Sequence, residues 1–454
     1  MRDRVRVRVA GVARGAPGAG GRVVRRLLRM SEGAAAAPFA GRRLYYGWVL
    51  VGALALTETV SYGVLQYAFP VFLAPMEAEL GWSRTAMTGA FSLASLVSGF
   101  AAVPAGQWVD RHGARGLMTA GSVLAALLLV AWAAVDRIAV FYAIWIGLGM
   151  AMAGVLYEPA FAVLAGWFDR LRGRALTILT FVAGFASVIF VPLATWLVAA
   201  RGWREALLWL AAIVAVATVI PHALLLRRRP HDLGLLPDGG GSPGDADRAI
   251  SIPVRGVPAD EAIRSRSFLW LTIAFSLSSL VTTAVAVHLI PLLLERGHGP
   301  AFAGAALGAV GLMALPGRLV FTPLGSRWPR SAVTASIFAL QALGIAALMA
   351  ESGGEWGVWA CVVLFGAGFG AITPARAALV AEHYGPLEYG RIGGVLALFL
   401  AVARAAAPVG ASVLHASGGG YAPVLWTLLL ASLAAAAAVL AAGDPPLSPS
   451  PSRR

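Results

Sequence analysis

Apolar residues run along this chain in long blocks separated by short polar links. A membrane-spanning helix needs about 20 mostly apolar residues. Twelve segments meet that requirement, at 46–73, 84–107, 116–135, 138–167, 173–200, 204–226, 267–294, 301–325, 331–350, 356–382, 390–415 and 421–442. The longest polar interruption, 227–266, opens on three arginines (Arg227 to Arg229) and continues in Gly, Pro, Asp and Ser, the composition of a flexible linker. It divides the chain into six helices (46–226) and six more (267–442). The flanks, a basic Arg/Gly/Ala stretch at 1–45 and a Pro/Ser tail at 443–454, read as disordered. The first stretch reads either as a basic membrane-surface tail or as a disordered extension, with the start at Met1 or Met30, and no short apolar core with a cleavage site precedes the first segment.

The two sets of six echo each other. Trp48 to Pro70 in the first segment matches Trp270 to Pro291 in the seventh, and Pro104 and Gly106 match Pro323 and Gly325. Ala165 to Phe168 at the end of the fourth segment corresponds to Ala381 to Tyr384 at the end of the tenth. A weak parallel repeat of this kind marks two pseudo-symmetric six-helix bundles related by an axis along the membrane normal. The expected fold class is therefore all-α and integral to the membrane.

Composition supports that reading. Soluble domains are about 45–50% apolar and about 25% charged, whereas this chain is 59% hydrophobic and 13% charged. Its single cysteine, Cys361, excludes an intrachain disulfide and a thiolate cluster. All 36 basic residues are arginine. With the N-terminus inside, 28 of them fall on cytoplasmic segments, five on outer loops and three within helices, which places both termini in the cytoplasm. The net charge of +14 thus faces lipid head groups and implies no nucleic-acid partner. Histidines 112, 222, 231, 298, 383 and 415 lack metal-ligand spacing, and a phosphate-binding loop would need a lysine. No metal, cofactor or enzymatic constellation is expected.

Five ionisable residues lie inside predicted helices: Glu58, Glu158, Arg318, Arg376 and Arg404. A charge near the bilayer centre costs about 2.5–3.5 kcal/mol or more, and is tolerated beside a partner or a wet cavity. Two carboxylates against three guanidiniums leave an excess positive charge that an anionic ligand can satisfy, and arginine holds a carboxylate bidentately. Arg318, Arg376 and Arg404 are accordingly candidate substrate contacts. Glu58 and Glu158 are candidate proton carriers, since a glutamate in a dehydrated cavity can load and release a proton during a cycle. His288 and Tyr67 occupy matching places, three residues before Pro291 and Pro70, and join the candidate substrate site.

The link between the second and third segments reads Gly106-Gln107-Trp108-Val109-Asp110-Arg111-His112-Gly113-Ala114-Arg115. It resembles the loop signature G-x-x-x-D-R-x-G-x-R of the major facilitator superfamily. That resemblance implies a gating role for Gly106, Asp110, Arg111, Gly113 and Arg115, with the aspartate and arginines in a charge relay that locks one access state. Asp110 also suits a helix N-terminus, where the dipole is positive.

A finer resemblance is to the monocarboxylate transporter-like branch, including bacterial oxalate/formate antiporter-type carriers. It rests on Tyr46-Gly47-Trp48, on Gly81-Trp82-Ser83-Arg84, and on the run Trp167-Phe168 with Arg170, Arg172 and Arg174. Gly184 with Ala186-Ser187, and Gly202-Trp203-Arg204, complete it. The resemblance implies that Arg318 binds the substrate carboxylate. Where the animal carriers place an acid one turn before that arginine this chain has Ala314, and it has no lysine, so proton coupling falls to Glu58 or Glu158.

The expected function is secondary active transport of a small organic anion, a mono- or dicarboxylate, by proton symport or anion exchange. The expected setting is a monomer in a bacterial cytoplasmic membrane, with lipid as its surroundings. Alternatives are efflux of drugs or metabolites by proton antiport, and a non-transporting sensor or channel of the same fold. Efflux is disfavoured because Gly184 and Pro192 stand eight apart, unlike the Gly-Pro-x-x-Gly-Gly pattern of drug antiporters.

Overall fold

The computed structural model describes residues 45–239, 256–325, 327–350 and 355–443. The flanks expected to be disordered therefore lie outside the described residues, except Tyr45 and Gly443, as does the middle of the linker. Among the described residues, twelve helices are long and apolar enough to cross a membrane. The first six are α1 Tyr46–Leu80, α2 Arg84–His112, α3 Ala114–Ala133, α4 Ile138–Trp167, α5 Arg172–Arg201 and α6 Trp203–Leu225. The last six are α7 Arg266–Glu295, α8 Pro300–Leu324, α9 Arg330–Met349, α10 Trp356–Tyr384, α11 Tyr389–Gly418 and α12 Ala422–Ala441. No strand occurs among the described residues.

The sequence boundaries hold to within a few residues except at two places. The first segment runs on to Leu80, and the link at 106–115 is hardly a link at all. Residues 106–112 are the last turns of α2, and Gly113 alone separates them from α3. Glycine meets the need for a sharp turn there, with φ of 81°. Gly106 does not end its helix; it lets α2 approach α11. A Cβ on Gly106 would overlap the Gly390 carbonyl, and one on Gly394 would overlap that of Ala102. The two helices therefore meet backbone to backbone.

Four helices are interrupted where the chain passes the middle of its span. One π-turn breaks α1 at Gly63–Tyr67 and another breaks α6 at Ala215–Val219. Leu156 is extended between the two parts of α4, and Gly184 and Phe185 separate the two parts of α5. Irregular backbone at such depth is tolerated where protein or a water-filled cavity covers it.

Apolar packing divides into three clusters. One joins α1 to α6 around Phe72, Trp132, Phe141 and Trp145, and a second joins α7 to α12 around Val281, Leu293, Phe365 and Leu428. The third combines both sets, with Phe161, Trp167 and Phe168 beside Phe275, Phe338, Tyr384 and Tyr389. All its members lie toward the face that carries Tyr45, Gly113 and the linker, called here the linker face. The two sets of helices are thus sealed together at the linker face and have separate cores toward the opposite face.

Each described piece of the linker is fastened to one set. Asp238, at a left-handed φ of 62°, accepts the backbone N–H groups of Asp169, Arg170 and Leu171 at 3.2, 2.7 and 3.1 Å. The short linker helix Ala259–Arg264 is held by Asp260, paired with Arg391 at 2.7 Å, and by Val257, whose N–H donates to the Tyr384 carbonyl at 2.9 Å.

Candidate functional site

The interrupted helices carry the charged residues. The second part of α4 begins at Tyr157, with Glu158 in its first turn and Pro159 next. Opposite, Arg376 follows Pro374 by two residues in α10. Arg376 Nη2 donates to Glu158 Oε1 at 2.7 Å, with side-chain exposures of 10% and 21%. This ion pair bridges the first set of helices to the second.

Arg318 bridges them as well. Its Nε donates to the Gly370 carbonyl at 3.0 Å in α10, and its Nη1 donates to the Thr180 carbonyl in α5. The guanidinium reaches Thr180 through the break in α5, where a Cβ on residue 184 would overlap it. Gly184 therefore opens the slot that Arg318 fills.

Arg404 of α11 donates to its own helix, at the Leu400 carbonyl, and forms no ion pair among the described residues. It is solvent-exposed, yet its charge is felt alongside those of Tyr62, Arg376 and Glu158. The reach of those groups puts the side chain on the side of α11 turned toward α1, α4 and α10. Tyr67 shares this character: it is 42% exposed and lies within electrostatic reach of Arg318. Glu58 is wholly buried within reach of Glu158, and neither carboxyl oxygen has a hydrogen-bond partner.

Glu58, Glu158, Arg318, Arg376, Arg404 and Tyr67 therefore belong to one region. His288 is engaged elsewhere. Its Nε2–H donates to the Pro408 carbonyl at 3.1 Å, and its Nδ1 accepts from the Tyr421 hydroxyl at 3.1 Å, tying α7 to α11 and to the start of α12. Both ring nitrogens are thus occupied in this state.

At the linker face, Asp110 accepts the N–H groups of Gly390 and Arg391 at 2.8 and 2.7 Å. These are free donors of the first turn of α11, where a carboxylate also meets the positive end of the helix dipole. Arg111 and Arg115 are exposed and form no ion pair among the described residues. The acidic half of the expected relay is assembled here, and the arginine half is not.

Three tyrosines escaped the sequence reading. Tyr62 and Tyr157 lie with ring centroids 4.6 Å apart, both within reach of the Glu58 charge. Tyr389 is buried beside Glu158 and Arg376 and donates to the Ala377 carbonyl at 3.2 Å. Tyr157 had a usable signal, because it adjoins Glu158-Pro159 at a point where a helix can break. Tyr62 and Tyr389 had none.

Comparison with known proteins bears on this arrangement. Residues 54–408 match the family model described as Major Facilitator Superfamily. Monocarboxylate transporter 13 of Bos taurus is 26% identical over 342 residues, covering 75% of this chain and 76% of that protein. Monocarboxylate transporter 11 of Homo sapiens is 31% identical over 375 residues, covering 77% and 70%. Among solved structures, the E. coli fucose:proton symporter shares the fold with a TM-score of 0.66 at 16% identity, covering 88% of this chain and 98% of that one.

Proposed function

The chain belongs to the major facilitator superfamily, and from that premise we propose that it carries a small organic anion, a carboxylate, across the cytoplasmic membrane of a bacterium by alternating access. The linker face is the cytoplasmic side in this reading, on the strength of the arginine distribution. A linker face that is sealed, with separate cores beyond it, corresponds to an outward-facing state.

The observation that carries the proposal is Arg318. Its guanidinium spans the two sets of helices, donating to the backbone carbonyls of Gly370 and Thr180. A guanidinium presents a planar fork of donors that stays charged, so an incoming carboxylate that replaces the Thr180 carbonyl gains a charge-assisted, bidentate contact. Arg404 adds a second positive charge on the same space. Glu58 supplies a site for a co-transported proton, and an anion moving with a proton, or against a second anion, avoids carrying bare charge through the membrane. The two relatives bear the name of monocarboxylate transporters, which supports the same cargo class.

Uptake and counterflow of labelled mono- and dicarboxylates by protein reconstituted in liposomes tests this. Saturable counterflow that disappears in Arg318→Ala is the expected result. Stabilisation or transport by no carboxylate at all would overturn it.

A further inference from the structure

Helix α1 changes register as it passes the site. From Gly63 to Tyr67 its backbone makes a single π-turn, closed by Ala68 N–H on the Gly63 carbonyl at 2.9 Å. In a regular α-helix, residues five apart point about 140° away from each other around the axis. A π-turn closes its hydrogen bond over five residues and brings them to one side. Tyr62 and Tyr67 accordingly lie together, with ring centroids 6.4 Å apart. Packing holds the turn in place: the Phe190 ring of α5 fills the position that a side chain on residue 63 would need.

These rings lie within electrostatic reach of both candidate substrate arginines. The charge of Arg318 reaches Tyr67 and Tyr157, and that of Arg404 reaches Tyr62. Tyr157 stacks in turn on Phe161, at 4.9 Å between centroids and 6° between planes. The neighbouring threonine hydroxyls are spent on their own helices. Thr57, Thr59 and Thr180 donate to the carbonyls of Leu54, Ala55 and Leu176 at 3.2, 2.7 and 2.8 Å. A cargo rich in hydroxyl groups would give up its water and find these donors committed. A flat aromatic body gives up little and gains ring contacts.

Resting on the carboxylate reading above, we propose that the cargo is an aryl carboxylate. Arg318 takes its carboxylate, and Tyr62, Tyr67 and Tyr157 take its ring. The π-turn in α1 sets this specificity by placing two of the three phenols on one face.

Competition in the counterflow assay with benzoate, cyclohexanecarboxylate and quinate as probes tests the assignment, because the first two share charge and near-equal size and the third adds hydroxyls. Benzoate should compete about three- to tenfold better than cyclohexanecarboxylate, the range expected for ring–ring contact beyond area alone. Quinate should compete worst. In Tyr62→Leu and Tyr67→Leu the advantage of benzoate over cyclohexanecarboxylate should fall below about twofold, whereas Tyr62→Phe should retain it. Equal competition by the two ring acids, or an advantage that survives both leucine variants, overturns the aryl assignment and leaves the carboxylate reading standing. Failure of every acid against folded wild-type protein overturns the carboxylate reading itself.

Discussion

Glu158 and Arg376 stand 218 residues apart in sequence and form a 2.7 Å ion pair between α4 and α10. Removing one member of a buried pair leaves the other charge uncompensated, at a cost of about 3–5 kcal/mol. With a fifth of the Glu158 side chain exposed, the lower end of that range applies. Glu158→Gln and Arg376→Gln should each lower unfolding stability in detergent, and the double variant should recover most of the loss. Two single losses that simply add in the double variant would show that the pair is not coupled.

Asp110 joins α2 to α11 at the linker face by accepting two N–H groups of α11, and a gate closed by this contact opens when it is lost. Hydrogen bonds to a charged group contribute about 1.5–3 kcal/mol each. Losing even one of them shifts a two-state equilibrium by about ten- to a hundredfold. Spin labels at positions 169 and 387 should report a new, longer distance in Asp110→Ala. An unchanged distance distribution would remove Asp110 from the gate.

Glu58 is buried with no donor on either oxygen. Glu58→Gln preserves shape and abolishes proton exchange at this position. Carboxylate exchange should persist in that variant, while accumulation driven by an imposed pH gradient should drop to the level seen without a gradient. Undiminished gradient-driven uptake would assign the proton to another group.

Asp238 holds the linker to the connection between α4 and α5 through three backbone N–H groups. Its left-handed backbone costs a non-glycine residue about 1 kcal/mol or more, so the acceptor contacts must outweigh that strain. Asp238→Gly relieves the strain and removes the acceptor. Amide hydrogen exchange at residues 169–171 should accelerate by about tenfold or more in that variant. Protection equal to wild type would mean the linker is held by other contacts.

Intramembrane charge was the most legible feature of the site. Glu58, Glu158, Arg318, Arg376 and Arg404 stand out because each is costly in an apolar helix. Their partners were not legible, since sequence spacing says nothing about which of eleven other helices a side chain will meet. Tyr62 and Tyr67 illustrate a deeper limit. Regular helical periodicity separates them, and the π-turn that unites them depends on Phe190 packing against Gly63. The twelve spans were legible because length and hydropathy suffice to define them. The end of α2 was not, because Gly106 and Gly113 look alike in the sequence, yet one makes a helix contact and the other makes the turn.

Gly113 alone joins α2 to α3. A single residue has no slack, so a tilt of α2 against α11 must drag the near end of α3 along with it. The pair works as a bell crank whose elbow is one peptide long. Lengthening that elbow with flexible residues would let α2 part from α11 without moving α3. Transport should then slow while the binding of cargo from the open face is preserved.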